Sequence, residues 1–264
     1  MLTALPSITI VTPCFNAVEF IERALDSVVE QEYPHIEHVV VDAGSTDGTV
    51  EILQARSDIR WISEPDEGQS DAMNKALAMA TGDIVGWLNA DDWYLPGSFA
   101  AIAGAAIANP EAEWFTGRCP IVDNDGTEIR KAVTQYKNAL LRAYSFPLYL
   151  TQNFISCPAT FVRRDAYTAV EPFRIDYRFS MDYDIFLQLA RRGDPVIIHR
   201  DLAVFVMMEG TKSMSGFEEQ FEEHHQQARE HGDGHPIAVG ANAVMSAGIT
   251  YAYRGMRTIR SRRA

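Results

Sequence analysis

Through the first ninety residues, short runs of Val and Ile alternate with stretches whose apolar positions recur every three or four residues. Ser7–Thr12 (SITIVT) and Ile36–Asp42 (IEHVVVD) have the unbroken β-branched character of strands buried on both faces. Between them Ile21, Ala24, Leu25, Val28 and Val29 fall on one side of a helix. The same alternation predicts a helix over Thr49–Arg56, a strand over Ile59–Ser63, a helix over Gln69–Ala80 and a strand over Asp83–Leu88. Repeated units of this length imply an α/β fold, with a mainly parallel, Rossmann-like sheet flanked by helices.

Ligands of such sheets bind beyond the carboxyl ends of the strands. Polar residues gather at those ends: Pro13-Cys14-Phe15-Asn16, Asp42-Ala43-Gly44-Ser45 and Asn89-Ala90-Asp91-Asp92. Three loops distant in sequence are thus predicted to meet on one edge. Beyond Trp114 the pattern loosens and becomes aromatic. It tightens again into a helix over Met181–Arg192, with Ser180 as N-cap and Gly193 as stop. The chain divides into a first half over 1–115, a second half of the same domain over 116–215, and a helical tail over 216–264.

Length permits one large α/β domain. The net charge of −13 excludes a nucleic-acid-binding surface over the whole protein. The last eleven residues carry five arginines and no acid, leaving −18 on the rest. That tail reads first as an amphipathic or homo-oligomer contact, and second as a peripheral contact with an anionic membrane. Three scattered cysteines suggest neither a disulfide framework nor a zinc site. With no signal-peptide layout and no spanning apolar run, they lead to the expectation of a cytoplasmic protein, peripheral at most to the inner face of the membrane.

Two carboxylates in sequence, Asp91 and Asp92, at the end of an apolar strand are electrostatically costly unless a cation neutralises them. Their oxygens suit Mg²⁺ or Mn²⁺ shared with phosphate. Asp42, at a strand end, can accept hydrogen bonds from a ligand, while Ser45, Thr46 and Asp47 can equally build a turn and helix cap. Asp182 shares a helix face with Ile185, Phe186 and Leu189, whereas Asp184 points with Gln188 and Arg191. A carboxylate on an apolar face asks for a function. His224, His225, His231 and His235 read as a polar, mobile segment and not as a metal site. Trp93 and Tyr94 suit either sugar stacking or core packing.

P-C-F-N (Pro13–Asn16), D-A-G-S-T-D-G-T (Asp42–Thr49), D-E-G-Q-S-D-A-M-N-K-A (Asp66–Ala76), A-T-G-D-I (Ala80–Ile84) and N-A-D-D (Asn89–Asp92) follow one another in order. Together they resemble family-2 glycosyltransferases of the GT-A fold, especially bacterial enzymes of surface-polysaccharide or glycolipid synthesis. The resemblance implies a nucleotide-sugar donor, with UDP favoured, and a glycan or lipid-linked acceptor. It implies that Pro13, Phe15 and Asn16 form the donor loop with Phe15 against the base, that Asp42 contacts base or ribose, and that Asp66 helps hold the base. It further implies that Asp91 contacts ribose or donor sugar, that Asp92 binds a divalent cation, and that Asp182 is the catalytic base. Met208 stands near the position where many relatives carry a metal-binding His, and Lys212 is the candidate for compensating charge at the diphosphate. A nucleotidyltransferase and a catalytically silent sugar-nucleotide binder are the rival readings. The first lacks a Gly-rich basic loop after the first strand. A dinucleotide-dependent dehydrogenase is disfavoured by the absence of G-x-G-x-x-G there.

Overall fold

The computed structural model describes residues 5–208 and 216–261, and for Phe217 and residues 252–261 only the backbone. Lys212, the Glu209–Ser213 turn and the last two arginines lie outside the described residues. The elements are β1 (Ile8–Cys14), α1 (Ile21–Val29), β2 (Ile36–Asp42), α2 (Thr49–Ala55), β3 (Arg60–Ser63), α3 (Gln69–Met79), β4 (Ile84–Trp87) and β5 (Trp93–Tyr94). There follow α4 (Ser98–Ala108), β6 (Trp114–Arg118), β7 (Ile121–Val122), α5 (Lys131–Arg142), α6 (Phe146–Thr151), β8 (Thr160–Arg163) and α7 (Arg164–Thr168). The last elements are α8 (Met181–Ala190), β9 (Val196–Asp201), β10 (Ala203–Val206), α9 (Phe217–His231) and α10 (Pro236–Ser261).

Seven strands form one sheet in the order β3-β2-β1-β4-β8-β6-β9, with β8 antiparallel to both neighbours and every other pair of adjacent strands parallel. A small second sheet, β5-β10-β7, lies beyond the β4 end. The mainly parallel α/β architecture agrees with the sequence pattern. β1 runs two residues past its expected end, because Pro13 and Cys14 stay in register with Val41 and Asp42 of β2. The N–H that Pro13 lacks therefore weakens the ladder only at the end of the strand.

Apolar burial on both sheet faces holds the layers together. On one face Met73, Ala76, Trp114, Tyr149, Phe186 and Leu189 pack from α3, β6, α6 and α8, joined by Phe154 from the loop after α6. On the other, Ala24, Val28, Phe99, Ile102 and Ala106 of α1 and α4 cover Ile8, Ile10 and Phe161. The A-T-G-D-I segment lies at the amino ends of the strands, away from the predicted site. Gly82 donates its N–H to Thr9 Oγ1 at 2.9 Å, and a Cβ there would lie 2.7 Å from the Thr9 backbone nitrogen. Asp83 accepts from the Ser7 N–H and hydroxyl, both at 2.8 Å. This motif closes the sheet and touches no ligand edge.

The polar segment expected to be mobile is instead part of the packed body. α9 crosses α8, and Gln227 and His224 are buried. Asp184, expected to point with Gln188 and Arg191, is also buried; it accepts from His231 Nε2 at 2.7 Å and Gln188 Nε2 at 3.0 Å. α9 covers this face of α8.

Candidate active site

At the carboxyl ends of β1, β2 and β4 the first two loops are locked together. Asn16, held at φ 47°, accepts the Thr46 N–H on its side-chain oxygen at 3.0 Å and donates its own N–H to Ser45 Oγ at 2.7 Å. Ala17 N–H donates to Thr49 Oγ1, and Val18 N–H to Asp47 Oδ2. Phe15 is thereby pushed outward and is 62% exposed at the cavity wall, an aromatic face left bare.

Asp42 organises this lock from below. Its carboxylate is fully buried and accepts from the N–H groups of Gly44 (3.1 Å) and Ser45 (2.9 Å), the Ser63 hydroxyl (2.6 Å) and the Ser45 hydroxyl. Asp42 is not among the residues lining the cavity, whereas its neighbours Cys14 and Ala43 are. Here the carboxylate shapes the loop, and the turn-building reading of this motif describes what its side chains do.

The cavity beside these loops measures about 1580 Å³. Pro13, Phe15, Asn16, Asp66, Asp91 and Asp182 all line it. Asp66 accepts the Gly68 N–H at 2.8 Å, which fixes the turn into α3.

The two acids after β4 point different ways. Asp92 is 1% exposed, accepting from the Val206 N–H at 2.8 Å and from Asn89 Nδ2 at 2.9 Å. Asn89 Oδ1 in turn accepts from Trp87 Nε1 and Gln69 Nε2, both at 2.9 Å. Asp92 therefore ties β10 to the end of β4 and is absent from the cavity lining, while Asp91 lies on it. Of the two acids, Asp91 is the one on the cavity wall. Burial raises the pKa of Asp91, and burial followed by the charge of Asp91 raises that of Asp92 well above the usual carboxylate range.

A carboxylate of this kind, desolvated on a cavity wall, suits a hard divalent cation completed by ligand oxygens. Met208 also lines the cavity, and its thioether is a poor donor to such an ion. Among the described residues, the one cluster of three groups spaced to hold a metal is Asp184, Glu230 and His231. It lies off the cavity, and its Glu230 already pairs with Arg174 at 2.8 Å and Tyr177 at 2.8 Å.

Asp182 sits in the first turn of α8, half-buried against the cavity. It accepts from the Tyr183 N–H at 2.8 Å and from Asn153 Nδ2 at 3.4 Å. Burial raises its pKa, while those two donors and the nearby charge of Lys137 pull it back. Burial, and after it the charges of Asp182 and Asp92, raise the pKa of the Cys157 thiol. Cys14, Cys119 and Cys157 are free and buried, and burial and nearby acids push the Cys14 thiol up to about 12.

Chemically, the cavity offers an exposed aromatic face and two carboxylates, Asp91 and Asp182, whose pKa values burial raises. The family profile described as glycosyl transferase family 2 matches residues 9–170. The chain belongs to that family. This glycosyltransferase is 28% identical over 194 residues to the putative teichuronic acid biosynthesis glycosyltransferase TuaG of Bacillus subtilis, covering 71% of this chain and 73% of that one. It is 26% identical over 208 residues to an uncharacterized glycosyltransferase of Mycobacterium tuberculosis, 77% of this chain and 76% of that one. Among solved structures, the mannosyltransferase PcManGT from Pyrobaculum calidifontis in complex with GDP-Man and Mn²⁺ matches with a TM-score of 0.65 and 20% identity, covering 96% of this chain and 81% of that one. S. aureus TarS matches at 0.67 and 16%, with 85% of this chain spanning 39% of TarS. The GT-A fold is thus common to all three.

Sequence reasoning missed three contributors. Glu223 and Gln227, on α9, grip the backbone leading into α8, and Lys137, on α5, lines the cavity with Asp182. Their local sequence carried no signal, because each acquires its role from a contact more than forty residues away or across helices. Ser180 begins α8 as expected, but its hydroxyl donates to Glu223 and makes no cap bond to its own helix. Trp93 stacks under the Arg23 guanidinium, 3.2 Å from centroid, and Tyr94 packs on Phe99 and Phe161, so both serve structure.

Proposed function

We propose that this glycosyltransferase moves a sugar from a nucleoside-diphosphate donor, with UDP favoured, to a hydroxyl of a glycan or lipid-linked acceptor in surface-polysaccharide or glycolipid synthesis. The observation that carries the reading is that Asp91 and Asp182, from two different elements, line the same cavity. Asp182 takes the acceptor hydroxyl proton on a carboxylate oxygen. The freed oxygen forms a bond to the anomeric carbon from the face opposite the leaving group. The bond from that carbon to the diphosphate oxygen breaks, and the nucleoside diphosphate departs with the electron pair, inverting the centre. Asn153 and the Tyr183 N–H keep the Asp182 carboxylate oriented and ionised before the proton arrives.

Asp91 is the residue that would hold Mn²⁺ or Mg²⁺, with Asp92 and Asn89 fixing the loop behind it. When bound, the ion supplies positive charge to the departing diphosphate. Phe15 offers its exposed face to the base, and Asp66, at the entrance to α3, lines the same cavity. The deciding experiment is Asp182→Asn with UDP and Mn²⁺ binding followed by calorimetry. Transfer should fall about 10²–10⁴-fold while donor binding holds. Unchanged turnover would remove Asp182 from the chemistry.

The C-terminal helix supports a peripheral membrane contact for the acceptor. Ile237, Val244 and Tyr251 recur every seven residues on α10 and are 74–88% exposed, and the chain then carries five arginines to its end. Among the described residues no helix is long and apolar enough to cross a membrane. An exposed apolar stripe continued by cations fits an anionic interface. Co-sedimentation with phosphatidylglycerol vesicles, lost with Val244→Glu and absent with phosphatidylcholine, is the expected result. Dimer formation without vesicle binding would instead assign the stripe to a second copy of the chain.

A further inference from the structure

Of the three lysines within the described residues, Lys75 and Lys131 pair with acids, and Lys137 does not. Lys137 lines the cavity, and its Nζ donates to the neutral Ser156 hydroxyl at 2.7 Å. An ammonium has three donors, so two remain for whatever enters. Burial lowers its pKa, and the acid whose charge acts on it is Asp182. Asp182, however, already accepts from Tyr183 and Asn153 and forms no ion pair with it. In the proposed reaction Asp182 also loses its negative charge when it takes the acceptor proton. A partly desolvated cation left beside a neutral acid is unfavourable unless the substrate supplies an anion.

The position of Lys137 selects which substrate that is. The diphosphate belongs at the Asp91 end, whereas the Lys137 ammonium is anchored on Ser156, on the segment that follows Asn153. Ser156 and Asn153 line the cavity with Asp182, and Asn153 donates to that carboxylate, which marks the end where the acceptor hydroxyl must lie. We propose that Lys137 binds an anionic group of the acceptor sugar, a carboxylate or a phosphate. This inference rests on the assignment of Asp182 as base. A flexible point charge accommodates either anion.

The test uses the full chain saturated with UDP and Mn²⁺, titrated by NMR with methyl glucuronide, glucose 6-phosphate and methyl glucoside. The wild type should bind at least one charged sugar about tenfold or more tightly than the neutral one, and the two charged probes separate carboxylate from phosphate. Lys137→Met should erase the preference and leave UDP affinity within about twofold, while Lys137→Arg should retain part of it; unfolding temperatures of both variants confirm that they fold. A wild type without charge preference, including one that binds neither anion, overturns the proposal. So does a Lys137→Met variant that loses UDP affinity but not sugar selectivity, since the lysine would then serve the diphosphate. A wild type that fails to bind UDP with Mn²⁺ refutes the donor reading itself, a separate result.

Discussion

Glu223 accepts both the backbone N–H and the hydroxyl of Ser180, at 2.9 and 2.8 Å, on a single carboxylate oxygen. The same side chain takes the N–H groups of Arg178 and Phe179 at 2.8 and 2.9 Å. One acid on α9 thus satisfies the orphan donors of the segment that enters α8, two residues before Asp182.

Glu223→Ala should therefore displace the base without touching the donor. Each hydrogen bond to a charged acceptor contributes about 1.5–3 kcal/mol, so chemical denaturation should register a loss of about 2 kcal/mol or more. Transfer should drop at least about tenfold at unchanged affinity for UDP with Mn²⁺. A variant with wild-type turnover would show that α9 is dispensable for positioning.

Asp91 and Asp92 should separate in their phenotypes. Asp91→Asn should remove the Mn²⁺-dependent part of UDP binding and leave the unfolding temperature nearly unchanged. Asp92→Ala leaves the Val206 N–H and the Asn89 amide without acceptors, at a cost of about 1–3 kcal/mol each, and should lower stability first. Calorimetry with and without Mn²⁺, set beside melting curves, distinguishes them; an inverted pattern would return the ion to Asp92.

The stabilisation by Mn²⁺ should grow with pH. Burial raises the pKa of both acids. Their contribution to stability is present below the unfolded carboxylate value and is lost as pH rises through the folded values. A cation takes the place of the proton, so its shift in melting temperature should be small near pH 5 and larger toward pH 8. In Asp91→Asn the slope should flatten. His224, pushed down to about 4 by burial, and His38, to about 3, act oppositely: their contribution is lost as pH falls from the unfolded histidine value toward those numbers. Metal-free protein should accordingly unfold more readily as acid titrates them.

Gly82→Ala should damage the fold and not the site. The added Cβ meets the Thr9 backbone nitrogen at 2.7 Å and Thr9 Oγ1 at 2.8 Å. The clash is with backbone, so relief by a side-chain rotation is unavailable, and overpacking of this kind costs about 1–3 kcal/mol or more. Variant protein that remains folded should still bind UDP with Mn²⁺ normally.

The local signals in this chain were those carried by neighbours in sequence. Runs of Val and Ile fixed β1, β2 and β4, apolar spacing fixed α1 and α3, and the strand ends announced the edge where Pro13, Phe15, Asn16 and Asp91 meet; Asp66 entered only through the family resemblance. Asp182 stood out because it shares its helix face with Ile185, Phe186 and Leu189. What adjacent residues could not encode was direction and partnership. Which member of Asp91-Asp92 faces the cavity depends on the Val206 N–H, 114 positions away. Asp184 is buried because His231 arrives from α9, and Lys137 gains meaning only beside Asp182. Periodicity reports which face of an element is apolar; only the packed chain decides what lies against that face, because burial and hydrogen bonding are properties of the pair.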